Sequence, residues 1–143
     1  MTINGTLAES IVSSFSSQQQ FNDILFVVAY ENDIKPTPIN KPIVAISVRN
    51  CEIGELLTQT LETGEIIETN NRNMETILST DIYLPYSMGG STGHKIFDRI
   101  ATYFLSTKKS TVKRITCDEA SYDSSCEAIV LHICIVFNNI ISE

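Results

Sequence analysis

No lysine or arginine occurs before Lys35, and none occurs after Arg114. The first absence removes the positively charged start of a targeting segment, and the early apolar residues Leu7, Ile11, Val12 and Phe15 are interrupted by Glu9 and serines. A long apolar run is missing too. The best stretch, 128–141, contains His132, Asn138 and Asn139 and is rich in β-branched residues, so it is expected as a buried strand rather than a membrane span. The expectation is a soluble, intracellular protein with no membrane partner.

Cys51, Cys117, Cys126 and Cys134 include no C-x2-C pair. The closest metal-type pair is His132 and Cys134, two apart and hence on one face of a strand, which falls short of a zinc signature. In an intracellular setting these cysteines are expected as free thiols in or near the core. No metal and no cofactor is expected. A G-x-S-x-G elbow is also missing. His94 and Asp98 stand at i, i+4 on a helix pattern, but no nucleophile is fixed against them, and no catalytic residue is assigned. The acids of 52–68 lie on a polar stretch and read as solvated rather than as a glycosidase pair.

Against these absences stands the composition of one globular domain spanning 1–143. Apolar residues make up 43% and charged residues 19%. A net charge of −7 gives no general attraction to nucleic acid. The charge is segregated. Glu52, Glu55, Glu62, Glu65, Glu68 and Glu75 surround a single base, Arg72. Lys95, Arg99, Lys108, Lys109, Lys113 and Arg114 then accompany only Asp81 and Asp98 between residues 76 and 115. Such separation suits a chain that pairs with copies of itself, bases meeting the acids of a neighbour; ordinary solvated faces are the alternative.

Periodicity predicts a helix over 6–18 with Thr6 as N-cap, and a strand over 23–30 (DILFVVAY). Pro36, Pro38 and Pro42 mark an extended connector before a second strand at 43–48 (IVAISV). From 49 to 73 the pattern decays into an acidic excursion, a loop or a hairpin turning near Thr63 and Gly64. A strand over 74–84 ends at Pro85, and a helix over 91–106 carries a stripe of Ile96, Phe97, Ile100, Ala101, Phe104 and Leu105. Strands over 111–117 and 127–137 follow, joined by a polar turn through Ser121, Asp123 and Ser124. The expected fold is α+β, a mainly antiparallel sheet of four to five strands with two helices packed on one face.

Between strand and helix, SMGGSTGHK resembles a phosphate-binding loop only in outline. A Walker loop needs G-x4-G-K-[ST]; here three residues separate Gly89 from Gly93, and His94 displaces Lys95. Gly89, Gly90 and Gly93 are therefore read as a structural corner. Gly89 and Gly90 supply positive φ, and Ser91 or Thr92 caps the helix.

The segments KPIVAISVRN, ILSTDIYLPYSMGGSTGHKIFDRIATYFL and VKRITCDEASYDSSCEAIVLHICIVF, over 41–137 without the acidic excursion, resemble tail terminator proteins of phage tails and contractile phage-tail-like particles. The resemblance implies a structural protein of the virion or a bacteriocin-like particle, assembled in the bacterial cytoplasm. It implies a collar ring, usually of six subunits, on the end of the tail tube distal to the baseplate. Its implied partners are further copies of itself, the tube protein, the sheath protein of a contractile tail and, in a phage, the head connector. Such a ring stops polymerisation and stabilises the tail end. Competing readings are another head–tail connector component and, from a different class, a small-ligand or phosphate-binding domain using the Gly89–Lys95 corner.

Overall fold

The computed structural model describes residues 7–28, 40–107, 111–125 and 127–142. In chain order its elements are α1 (Leu7–Ser16), a 3-10 turn (Gln19–Phe21), β1 (Leu25–Val28), β2 (Ile43–Thr60), β3 (Ile66–Pro85), a second 3-10 turn (Tyr86–Met88), α2 (Gly90–Thr107), β4 (Val112–Cys117), β5 (Ser121–Asp123) and β6 (Ala128–Ser142). Among the described residues the sheet has six strands in the order β1-β2-β3-β6-β4, with β5 also against β6. The pair β1–β2 is parallel and every other pair is antiparallel. The architecture is thus α+β and mainly antiparallel. The strand beyond the four or five expected is β5. Asp123 Oδ1 accepts from the Ser125 amide at 2.9 Å and its hydroxyl at 2.6 Å, and this tight turn lets residues 121–123 pair back onto β6.

Along β3, Met74, Thr76, Leu78, Thr80, Ile82 and Leu84 are buried, while Glu75, Ile77, Ser79 and Asp81 are half-buried. This two-residue period is that of a strand with one face against a core. Register carries the same division to both neighbours. Leu78, Ile82 and Leu84 share the core face with Val44 and Ile46 of β2 and with Leu131, Ile133 and Ile135 of β6.

Both helices pack on that face. Ala8, Ile11 and Phe15 of α1, and Ile96, Ile100 and Phe104 of α2, belong to the same buried cluster as the strands beneath them. Phe15 stacks on Phe26 at 4.7 Å between ring centroids and meets Phe21 at 5.1 Å, Tyr103 at 4.5 Å and Phe104 at 5.4 Å. One ring therefore joins α1, the first 3-10 turn, β1 and α2. The expected stripe on α2 needs one correction. Leu105 is exposed, and Tyr103 packs instead, because a residue three positions from Ile100 lies closer to the buried line than one five positions away. The opposite sheet face holds a smaller buried cluster of Ile43, Ala45, Tyr83, Ala128 and Val130.

Segment 49–73 is strand on both sides of a short turn. β2 and β3 continue past the core as a ribbon that turns through residues 61–65, where the Leu61 amide donates to the Glu65 carbonyl and the Gly64 amide to the Leu61 carbonyl, both at 2.8 Å. Gly64, at φ 87°, supplies the left-handed residue. Register shifts interrupt β2 between Val48 and Asn50 and twice between Ile53 and Thr58. The alternation that would have announced a strand is lost there because no residue from 49 to 73 is buried.

The aromatic hub gives the first expectation. Phe15→Ala should destabilise the domain by about 3–5 kcal/mol in urea unfolding, whereas Leu105→Ala should stay within about 0.5 kcal/mol. Equal losses would mean that α2 packs through a different stripe.

Candidate functional site

The glycine corner is built by one left-handed residue. Gly89 has φ 75° and ψ 164°, a combination essentially confined to glycine, and its amide donates to the Tyr86 carbonyl at 3.3 Å. The expectation that Gly90 shares this role is corrected: Gly90 is the first residue of α2, and the chain has already reversed before it. The expected cap at Ser91 or Thr92 moves with it. Thr92 lies inside the first turn and its hydroxyl donates to the Met88 carbonyl at 3.0 Å. Gly93 is buried, and a Cβ there would stand 2.5 Å from Leu131 Cδ1 and 2.8 Å from Leu84 Cδ1. Its bareness lets α2 rest directly on β3 and β6. His94, Lys95 and Asp98 are exposed. Gly89 and Gly93 thus each have a backbone or packing cause.

On the sheet face away from the helices, His132 Nδ1 lies 3.0 Å from Asp81 Oδ1, and Ser79 Oγ donates to the same oxygen at 3.3 Å. The three residue types are those of a hydrolase triad, but the serine binds the carboxylate and is not held against the imidazole, so the arrangement does not activate a nucleophile. It closes a polar boundary between buried Val130 and Val136 on the same strand. Cys134 is half-buried beside it, and Cys51 Sγ lies 3.7 Å from Thr76 Oγ1 on the core face. Burial, with Asp118 adjacent, pushes the Cys117 thiol up, which keeps it protonated and poorly nucleophilic at neutral pH. Among the described residues no three His, Cys, Asp or Glu side chains converge as metal ligands, and no helix is long and apolar enough to cross a membrane.

Of the bases expected at an interface, two are engaged within the chain. Arg99 donates to the Gln20 carbonyl, reaches Asp23 at 3.4 Å and lies 5.0 Å over the Phe21 ring, tying α2 to the first 3-10 turn. Lys113 pairs with Glu75 at 3.1 Å. Lys95 on α2 and Arg114 on β4 are exposed. Lys108 and Lys109 lie outside the described residues.

The expected acids are all on the ribbon. Glu52 and Glu55 stand on β2, Glu62 and Glu65 in the turn and Glu68 on β3, each exposed. Arg72 Nη1 donates to the Gly54 carbonyl at 3.1 Å and Thr69 Oγ1 to the Leu57 carbonyl at 2.9 Å, bracing the irregular pairing. Among the described residues β6 pairs with β3 as far as Asn71, so residues 58–60 and 66–68 pair there as two strands alone. Exposed apolar residues accompany the acids: Ile66 is 67% and Ile53 50% accessible, and Ile140, at the end of β6, 66%. The ribbon's isoleucines had no helical or alternating pattern to mark them in the sequence.

No family model and no curated protein matches this chain. The candidate site therefore rests on its geometry, that of a projecting surface rather than an enclosed pocket.

Gly89→Ala should destabilise by about 1–3 kcal/mol, the cost of strained backbone at that position. Gly93→Ala should lose about 1–3 kcal/mol through overpacking against Leu84 and Leu131. ATP with magnesium should leave the melting temperature of the unaltered protein where it is; a saturable rise at sub-millimolar nucleotide would assign the corner to anion binding.

Proposed function

We propose that this chain is a structural tail terminator, a ring-forming collar protein on the end of a phage or phage-tail-like tube distal to the baseplate. The observation that carries the reading is the ribbon. Two strands alone are marginally stable in water, and the tip of this pair, three residues a side or roughly 10 Å at about 3.3 Å each, exposes Ile66, Ile67 and Glu68, with Ile53, Glu52 and Glu55 exposed further down the same β2–β3 pair. A surface of that kind is stabilised by being covered. A terminator has such a covering surface available, because its ring must grip the last layer of tube and, in a contractile tail, of sheath.

In this reading the ribbon reaches a neighbouring protein rather than lining the bore. A lumen that passes DNA needs acids, which repel phosphate, but has no use for exposed Ile53 and Ile66 beside them. The domain body supplies the ring wall, a small α+β unit whose helices cover one sheet face, and cyclic symmetry closes it with few contacts per copy. The function is mechanical, to occupy the growing end and prevent further addition.

Deletion of the chain from the producing cell should yield tubes of uncontrolled length, or tails whose distal ends disassemble, scored by electron microscopy. A variant with residues 57–69 replaced by Asn-Gly should fold with an unchanged core yet fail to restore normal tails. Normal-length, intact tails in the deletion strain would overturn the assignment. Full rescue by the shortened variant would remove the ribbon from it.

A further inference from the structure

Among the described residues, the outer edges of β2 beyond Ile46 and of β4 have no pairing strand, and the two stretches lie at matching heights. β1 covers β2 only from Ile43 to Ile46, so among the described residues nothing pairs with the outer edge of β2 from Ser47 to Thr60. At the other side β4 pairs with β6 alone, and its outer edge is likewise unpaired among the described residues. Tracing register across the sheet, Arg114 lies level with Val136, Ile77 and Asn50, and Cys117 with Ile133, Thr80 and Ile46. The β4 strand therefore sits level with β2 from Ile46 to Cys51, from the last pair described between β1 and β2 onward.

Direction agrees as well. β2 and β6 run the same way, since each is antiparallel to β3, and β4 is antiparallel to β6. Rotation about an axis along the strands preserves direction, so β4 of one copy would meet β2 of the next as an antiparallel pair.

Charge identifies which surfaces meet. Glu52 stands directly across from Glu75, an unfavourable like-charge pair on the face away from the helices. Lys113 neutralises Glu75 at 3.1 Å, but Glu52 has no ion-pair partner among the described residues. Arg114, exposed on the same face at the opposite edge, has none either. We propose that a second copy of this chain docks by antiparallel pairing of its β4 with the open edge of β2, placing its Arg114 diagonally against Glu52. The contact is head-to-tail, so repetition closes a ring or continues as a helix. A symmetric pairing of two β2 edges centred near Glu52 would instead set Glu52 near Glu52. This interface deepens the terminator reading and rests on it for the closure of the ring.

The test uses purified full-length chain at low salt, with association followed by sedimentation at rising protein concentration and folding checked by circular dichroism. Glu52→Lys and Arg114→Glu should each weaken self-association by roughly three- to tenfold, the scale of an exposed charge pair turned repulsive. Glu52→Lys faces Glu75 within its own chain, so it should fold at least as well as the parent. Mixing the two variants, or combining both changes in one chain, should restore association. Monomer at every soluble concentration, reversals without effect, or failure of the mixture to recover would each overturn the proposal. If the parent mixed with Glu52→Lys associates more strongly than the parent alone, the edges pair β2 to β2 and the head-to-tail contact is wrong. Because these measurements involve no tail, an interface without a tail phenotype would sink the terminator reading alone, and the converse would sink the interface alone.

Discussion

One unbroken register orders this protein. β3 and β6 pair over fifteen consecutive positions, from Asn71 opposite Ser142 to Pro85 opposite Ala128, without a bulge. With a period of two, a slip of one residue would send every side chain to the other face. Were β6 the strand that slipped, Leu131, Ile133 and Ile135 would face away from both helices, and His132 and Cys134 would enter the core. The division into a helix-covered face and a polar face is thus held by this pair. Everything outside it, including the bulged β2 and the short β4 and β5, is attached to a frame that does not shift.

The irregularity of β2 is confined to the part that needs no core. From Ile43 to Val48 it follows β3 residue by residue, and the first shift comes after Val48, just before the ribbon emerges. Bulges bend and twist a strand, and they suit an edge that must not pair indiscriminately. Glutamates along the same stretch have a similar effect, since like charges discourage random stacking of ribbons.

The helices and the sequence agree closely where packing is local. The line Ile96, Ile100, Phe104 and the line Ala8, Ile11, Phe15 are both legible in the chain and both buried, because a helical stripe is a property of spacing. The alternation of β3 after Met74 is legible for the same reason. The pattern fails at 49–73, where strands with no buried residue carry no apolar period, so that a stretch of decayed alternation continued as strand to Thr60 and resumed at Ile66. It fails also at β5, where a side-chain turn at Asp123 made a strand from residues that read as loop. Gly90 was overassigned because two adjacent glycines offer left-handed backbone, while the reversal requires it only at Gly89.

By itself the sequence determined the α+β class, the buried stripes and the separation of acids from bases, all of which depend on residue type and spacing along the chain. Only the tertiary structure decided what those charges face. Arg99 and Lys113 were spent on Asp23 and Glu75, partners 76 and 38 residues away along the chain. Glu52 and Arg114 were left at opposite edges of one sheet face. That outcome follows from strand order, with β6 inserted between β3 and β4, and no local pattern encodes which strand will become an edge.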